Sequence, residues 1–241
     1  MNDTGRQHIV KSYDQELAQL NNTIVEMGGI TETQIEASIQ AVVDRNPLLA
    51  RQVIDNDDQV DDLNYEVDNM AMRLLALRQP MALDLRNVVA ALKISSDLER
   101  IADYASNIAR RSLALSEVDP VRPINAVPRM TRPILTMLKN VLDAYIHHDV
   151  DKAISVWHAD EEVDDMYTSL FRELLTYMME DARHITPCTH VLFIAKNIER
   201  IGDHITNISE TIYFLVHGER LNEARPRGAG NDRITDIVLD D

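Results

Sequence analysis

The chain has 241 residues, 45% of them apolar, and a formal net charge of −16 with a pI near 4.8. That acidity argues against a nucleic-acid binder, which needs a basic face for phosphate contacts. A single cysteine, Cys188, excludes an intrachain disulfide, and no run approaches the roughly eighteen apolar residues of a membrane span.

The first residues, MNDTGRQHIVKSYDQEL, carry no apolar signal core, so the expected location is cytoplasmic, without direct insertion into a membrane. Seven Gly and eight Pro leave long stretches free of either, as helices require. Leu17, Leu20, Ile24, Met27, Ile35 and Ile39 predict a first helix over 9–45, with a kink or break at Gly28 and Gly29. Asn46 and Pro47 mark a boundary. Val60, Leu63, Val67, Met70, Leu74 and Leu77 predict a second helix over 48–78, ended by Gln79 and Pro80, and a third follows over 83–115. Asp119, Pro120 and Pro123 form a linker. Ile134, Leu135, Leu138, Val141 and Leu142 predict a fourth helix over 128–148, followed by a tight joint at Asp149 and Asp151 that repeats Asn46 and Leu48. The fifth helix reaches about residue 181, and the sixth runs from Thr186 and Pro187 to His217, with Gly218 as its stop. Beyond 219 the pattern has no period, which predicts a flexible tail. The expected fold is therefore all-α with six long helices, a tandem duplication of a three-helix bundle: 1–118, 124–218, and a tail over 219–241.

The duplication is written most clearly in the third and sixth helices. Residues 98–108 read LERIADYASNI and residues 198–208 read IERIGDHITNI, identical at six of the eleven positions. In the second copy Val191, Ile194, Ile198, Ile201, Ile205, Ile208, Ile212 and Leu215 make an amphipathic stripe. At about 100° per residue, Glu199, Asp203 and Asn207 stack in a row roughly 170° from that stripe, and Glu99, Asp103 and Asn107 do the same. The rows are expected to face solvent. Carboxylates at i, i+4 repel by a few tenths of a kcal/mol, and a hard cation would turn that repulsion into coordination. Between stripe and row lie small residues, Ser95, Ala102 and Ala109 in one copy and Ala195, Gly202 and Ser209 in the other. They would let a neighbouring helix approach closely with its own oxygens.

The second helices of the halves supply such oxygens. Asp57 and Asp61 align with Asp160 and Asp164, beside the staggered pairs Asp58 with Asp62 and Glu161 with Asp165. The first-named pairs project closest to the acidic rows. His204 flanks one row, and Arg100 and Arg200 lie beside the rows, placed to neutralise them or to meet a partner.

The run PMALDLRNVVAALKISSDLERIADYASNIAR at 80–110, the run HVLFIAKNIERIGDHITNISE at 190–210 and the tandem plan resemble the PhoU family of regulators of bacterial phosphate uptake. The resemblance implies paired three-helix bundles whose acidic motifs bind metal ions: Glu99 with Asp103, Glu199 with Asp203, Asp57 with Asp61, and Asp160 with Asp164, Asn107 and Asn207 being extra candidates. Iron, zinc, manganese and magnesium are the candidate metals. Asp84 and Arg86 match the family's DLR in the first half only; the second half has His184, Ile185 and Thr186 there. The resemblance further implies a repressor of the phosphate-starvation response, linking the ATPase of a phosphate ABC transporter to a sensor histidine kinase. A homodimer is the expected assembly.

Two other classes compete. A di-iron carboxylate enzyme needs Glu-x-x-His on inward faces, and no histidine here has a glutamate three positions before it. Neither a G-x-x-x-x-G-K-[ST] phosphate loop nor a G-x-S-x-G elbow occurs, so no catalytic residues are assigned. A metal-free helical adaptor would carry the same apolar stripes.

Overall fold

The computed structural model describes residues 3–78 and 80–222. Within them the chain forms helices α1 (Asp3–Asp44), α2 (Pro47–Asp55), α3 (Asp58–Arg78), α4 (Leu83–Ser116), α5 (Val127–His147), α6 (Val150–Glu180) and α7 (Ile185–His217). Short 3-10 turns span Arg122–Ala126 and Ala182–His184. The described residues contain no strand. The expected tail lies mostly outside them.

Two expectations are corrected. The predicted second helix is split in two, because Asp55, Asn56, Asp57 and Asp58 put four short polar side chains in a row that compete with helical hydrogen bonding. The Asn56 carbonyl released by the break accepts from the Gln34 side-chain amide on α1, at 3.0 Å. The matching stretch of the second half stays helical, so α6 is continuous where α2 and α3 are not. Gly28 and Gly29 do not interrupt α1 either. A Cβ on Gly28 would run into the side chain of Leu142, so that glycine serves the approach of α5.

The joints between the first two helices of each half repeat one device. Arg45 and His148 both take a left-handed conformation at φ 51°, each followed by a capping side chain. Asn46 accepts from the backbone N–H of Leu48 and Leu49 at 3.1 and 3.2 Å, and Asp149 accepts from Lys152 N–H at 3.0 Å. At the far end, Gly218 closes α7 at φ 77°, its N–H donating to Phe214 O at 2.8 Å.

In the first half α1 packs on α3 and α4, with α2 over α4; in the second, α5, α6 and α7 pack together. The halves meet chiefly along α4 and α7, which run antiparallel: Asp97 faces His204 near one end of the seam, and Arg111 faces Phe193 near the other. One continuous apolar cluster runs through both halves, and Ile101 and Ile201, equivalent in the repeat, are fully buried in it. The small residues Ser95, Ala102, Ala109, Ala195, Gly202 and Ser209 are all buried as well. No helix of the described residues is long and apolar enough to cross a membrane.

Candidate functional site

The second half carries the more enclosed acidic group. Glu199 on α7 is 4% exposed, and Asp160 and Asp164 on α6 are 1% and 4% exposed. At Glu199 this corrects the expectation that the rows face solvent, because α6 lies over that part of α7, whereas Asp203, Asn207, Glu99 and Asp103 are half-buried and Asn107 is exposed. Gly202 permits it, since a Cβ there would stand 2.5 Å from Asp160 Oδ1 and 3.3 Å from Ile134 Cδ1. The staggered residues Glu161 and Asp165 are exposed, so the pair that meets α7 is Asp160 and Asp164.

Burial, then the neighbouring Asp203, pushes the Glu199 carboxyl up to about 7, with Asp164 adding to the rise. Lys196 opposes it, its ammonium donating to Glu199 Oε1 at 2.8 Å and lying 2.7 Å from Oε2. The same ammonium sits 5.3 Å from the centre of the Tyr167 ring. That phenol is pushed up to about 12, by burial first and the Glu199 charge second. Lys196 gave no signal in sequence, because nothing marks which lysine beside an acidic row turns inward. Arg200 lies close enough to act on Tyr167.

In the first half Glu99, Asp57 and Asp103 are half-buried and Asp61 is exposed. Burial is the leading cause of the raised carboxyls of Asp57, Asp61 and Glu99, and Asp103 raises all three. Four carboxylates from α3, its leading turn and α4 thus share one field. Arg100 answers it from outside, 3.1 Å from Asp103 Oδ2 and 3.4 Å from Glu99 Oε2, and Ser106 hydrogen-bonds the Asp57 carboxyl. Among the described residues, no group of three or more His, Cys, Asp or Glu is drawn together tightly enough to hold a metal ion as it stands. The donor chemistry, all carboxylate oxygen, suits hard cations.

The remaining candidates have other contacts. Asn207 donates to Asp97 Oδ1 at 3.4 Å, and His204 Nδ1 lies 2.8 Å from the same oxygen, both bridging α7 to α4. The His204 ring also stacks against Tyr104, centroids 5.6 Å apart. Asn107 is exposed and lines a cleft between α4 and α7. Arg86 donates from Nε to Leu215 O at 3.0 Å and so ties α4 to the last turn of α7, while Asp84 is exposed in the first turn of α4. Arg45 does for α4 what Arg86 does for α7, donating to Leu115 O, Ser116 O and Val118 O at 2.9, 3.0 and 2.5 Å.

A family model described as the PhoU domain matches residues 24–112 and again residues 127–212. The chain belongs to the PhoU family. It is 52% identical over 222 residues to a phosphate-specific transport system accessory protein PhoU homolog of Caulobacter vibrioides, covering 92% of this chain and 96% of that one. A homolog of the same description from Xylella fastidiosa is 44% identical over 241 residues, the full length of both chains. The crystal structure of PhoU from Pseudomonas aeruginosa is similar at TM-score 0.82 and 38% identity, over 86% of this chain and all of that one. The phosphate transport system regulatory protein PhoU from Streptococcus pneumoniae is similar at TM-score 0.82 and 30% identity, over 88% of this chain and all of that one. The two PhoU matches coincide with the two written copies, and each contains one acidic quartet.

Proposed function

We propose that this PhoU-family chain is a cytoplasmic negative regulator of phosphate uptake and of the phosphate-starvation response. In this reading it is a metal-binding adaptor, not an enzyme, between the ATPase of a phosphate ABC transporter and a sensor histidine kinase. Relatives covering nearly the whole chain are phosphate-specific transport system accessory proteins, and that similarity supports the phosphate role. The observation that carries the metal part is the pairing of helices in both halves, each bringing an i, i+4 carboxylate pair beside a second.

Glu99, Asp103, Asp57 and Asp61 would hold one cation site, and Glu199, Asp203, Asp160 and Asp164 the other. Iron, zinc, manganese and magnesium all accept such oxygens, and bound metal would offset the repulsion and burial that now raise the carboxyls. Asn207 is engaged with Asp97 and Asn107 lines a cleft, so the carboxylates are the preferred ligands. The absence of a preassembled three-ligand group among the described residues favours a second reading, a metal-free helical adaptor. A homodimer and association with transport machinery belong to the first reading, and acidic surfaces suit basic patches on partners.

Deleting the gene from its host is expected to derepress phosphate-starvation genes in phosphate-rich medium, with repression restored by the intact gene. Normal repression in a strain lacking every copy contradicts the regulatory role. A gene carrying Glu99→Gln, Asp103→Asn, Glu199→Gln and Asp203→Asn that restores full repression favours the metal-free adaptor.

A further inference from the structure

The α4–α7 seam holds two clefts that the repeat makes equivalent, and their charge has diverged. One, near the end of α7, is lined by Lys93, Asp97, Asn207, Glu210 and Arg220, cations and carboxylates in balance. The other is a cavity of about 330 Å³ lined by Asn107, Arg110, Arg111, Phe193 and Asn197, with no carboxylate. The divergence is specific: one hundred residues from Asp97 stands Asn197, and one hundred before Glu210 stands Arg110. Both acidic positions of one cleft are neutral or cationic in the other, in a chain of net charge −16. With charges screened over about 8 Å at physiological salt, the local set decides what such a cleft attracts.

The two arginines differ in how committed they are. Arg110 donates to Ser106 Oγ at 3.4 Å and lies near enough to Asp57 to favour its carboxylate. Arg111 makes no ion pair or hydrogen bond among the described residues; its guanidinium carbon lies over the Phe193 ring, 4.4 Å from the centroid. A cation over an aromatic face is held there by the ring, and both Arg111 and Phe193 line the cleft. Burial first, and Arg111 second, push the His190 imidazole down. Phe193 itself is 46% exposed, an apolar ring held at the surface as a platform.

We propose that the Arg110–Arg111–Asn107–Asn197 cleft binds a tetrahedral phosphate group, the planar fork of Arg111 and the amides of the two asparagines donating to its oxygens. The ligand is free inorganic phosphate or the phosphate of a small monoester, which share this chemistry. The site shares no residue with the carboxylate quartets, though Arg110 acts on Asp57 of the first, and it does not depend on the regulatory role proposed above.

The test uses the full chain stripped of metal with a chelator, so that no cation on the carboxylates can hold phosphate. Inorganic phosphate and AMP are titrated separately by calorimetry. One site per chain is expected, with a Kd on the order of 0.1–1 mM for the better ligand. AMP binding more tightly identifies a monoester, and phosphate binding equally or better identifies the free anion. Arg110→Gln with Arg111→Gln is expected to weaken binding at least tenfold, and Lys93→Gln in the balanced cleft to change it less than twofold. Should the double variant lose its helical circular dichroism, Arg111→Lys keeps charge and stem but not the fork, and a weakening of threefold or more is expected. No saturable binding of either ligand by about 10 mM overturns the proposal. So does unchanged binding in whichever arginine variant folds, or an equal loss in Lys93→Gln.

Discussion

Glu199→Gln tests the electrostatics of the second acidic group directly. The Glu199 carboxyl is raised from its ordinary 4.5 to about 7 in the folded chain, by burial first and Asp203 second. Between these values the folded state binds more protons than the unfolded one, so stability falls as pH rises from 4.5 to about 7. Above that window the loss is complete. At 1.36 kcal/mol per tenfold, the interval amounts to about 3 kcal/mol. The residue is only 4% exposed, so solvent screening removes little of it. A glutamine of the same shape has no charge to bury. Metal-free Glu199→Gln should therefore be more stable than the parent at pH 8, by about 1–3 kcal/mol once the lost Lys196 pair is subtracted. The difference should vanish or reverse near pH 4.5. Urea unfolding followed by circular dichroism across pH 4.5–8 measures it. A variant less stable than the parent at pH 8, or a difference that does not change with pH, refutes the reasoning.

Arg45→Met removes the donor to three carbonyls at the end of α4 while keeping an apolar stem, and should cost about 2 kcal/mol in urea unfolding. Arg86→Met should instead leave global stability within about 1–2 kcal/mol and speed hydrogen exchange in the last turn of α7, because among the described residues its bond goes to Leu215 O alone. Replacing Ile201, fully buried in the shared core, by Ala should cost about 2–5 kcal/mol, and the equally buried Ile101 should cost a similar amount. If metal loads both halves, the metal of the first should leave faster on adding chelator, since Asp61 is exposed where Asp164 is buried; equal release rates count against the difference in enclosure.

Much of this architecture is legible in the order of residues because each level repeats. The apolar spacing of Ile194, Ile198, Ile201, Ile205 and Ile208 fixes both the helix and its buried face. The boundaries at Asn46 and Asp149 are legible as a repeated joint, whereas nothing in the residue types of Arg45 and His148 marks their left-handed conformations. Gly202 and the small residues around it announced a close helix approach, and Asp160 fills that place. What a single helix cannot reveal is how many neighbours surround it. The angle between row and stripe put Glu199 opposite the core, yet in a tandem bundle α7 is flanked by α4, α5 and α6, and the side opposite the stripe is covered too. The break at Asn56 depended on four short polar residues whose competition with the helix is decided by tertiary partners such as Gln34. Likewise, the pairing of Asp97 with His204 joins residues from different halves, which no local period encodes.

The two carboxylate quartets are proposed as cation sites. Chelator-stripped chain would be dialysed against Mn, Fe, Zn or Mg, passed through a desalting column, and its metal content measured by mass spectrometry. The parent should retain metal in both halves, Glu99→Gln with Asp103→Asn should lose the share of the first half, and Glu199→Gln with Asp203→Asn that of the second. Metal content unchanged in the combined fourfold variant, for every ion, would contradict the account.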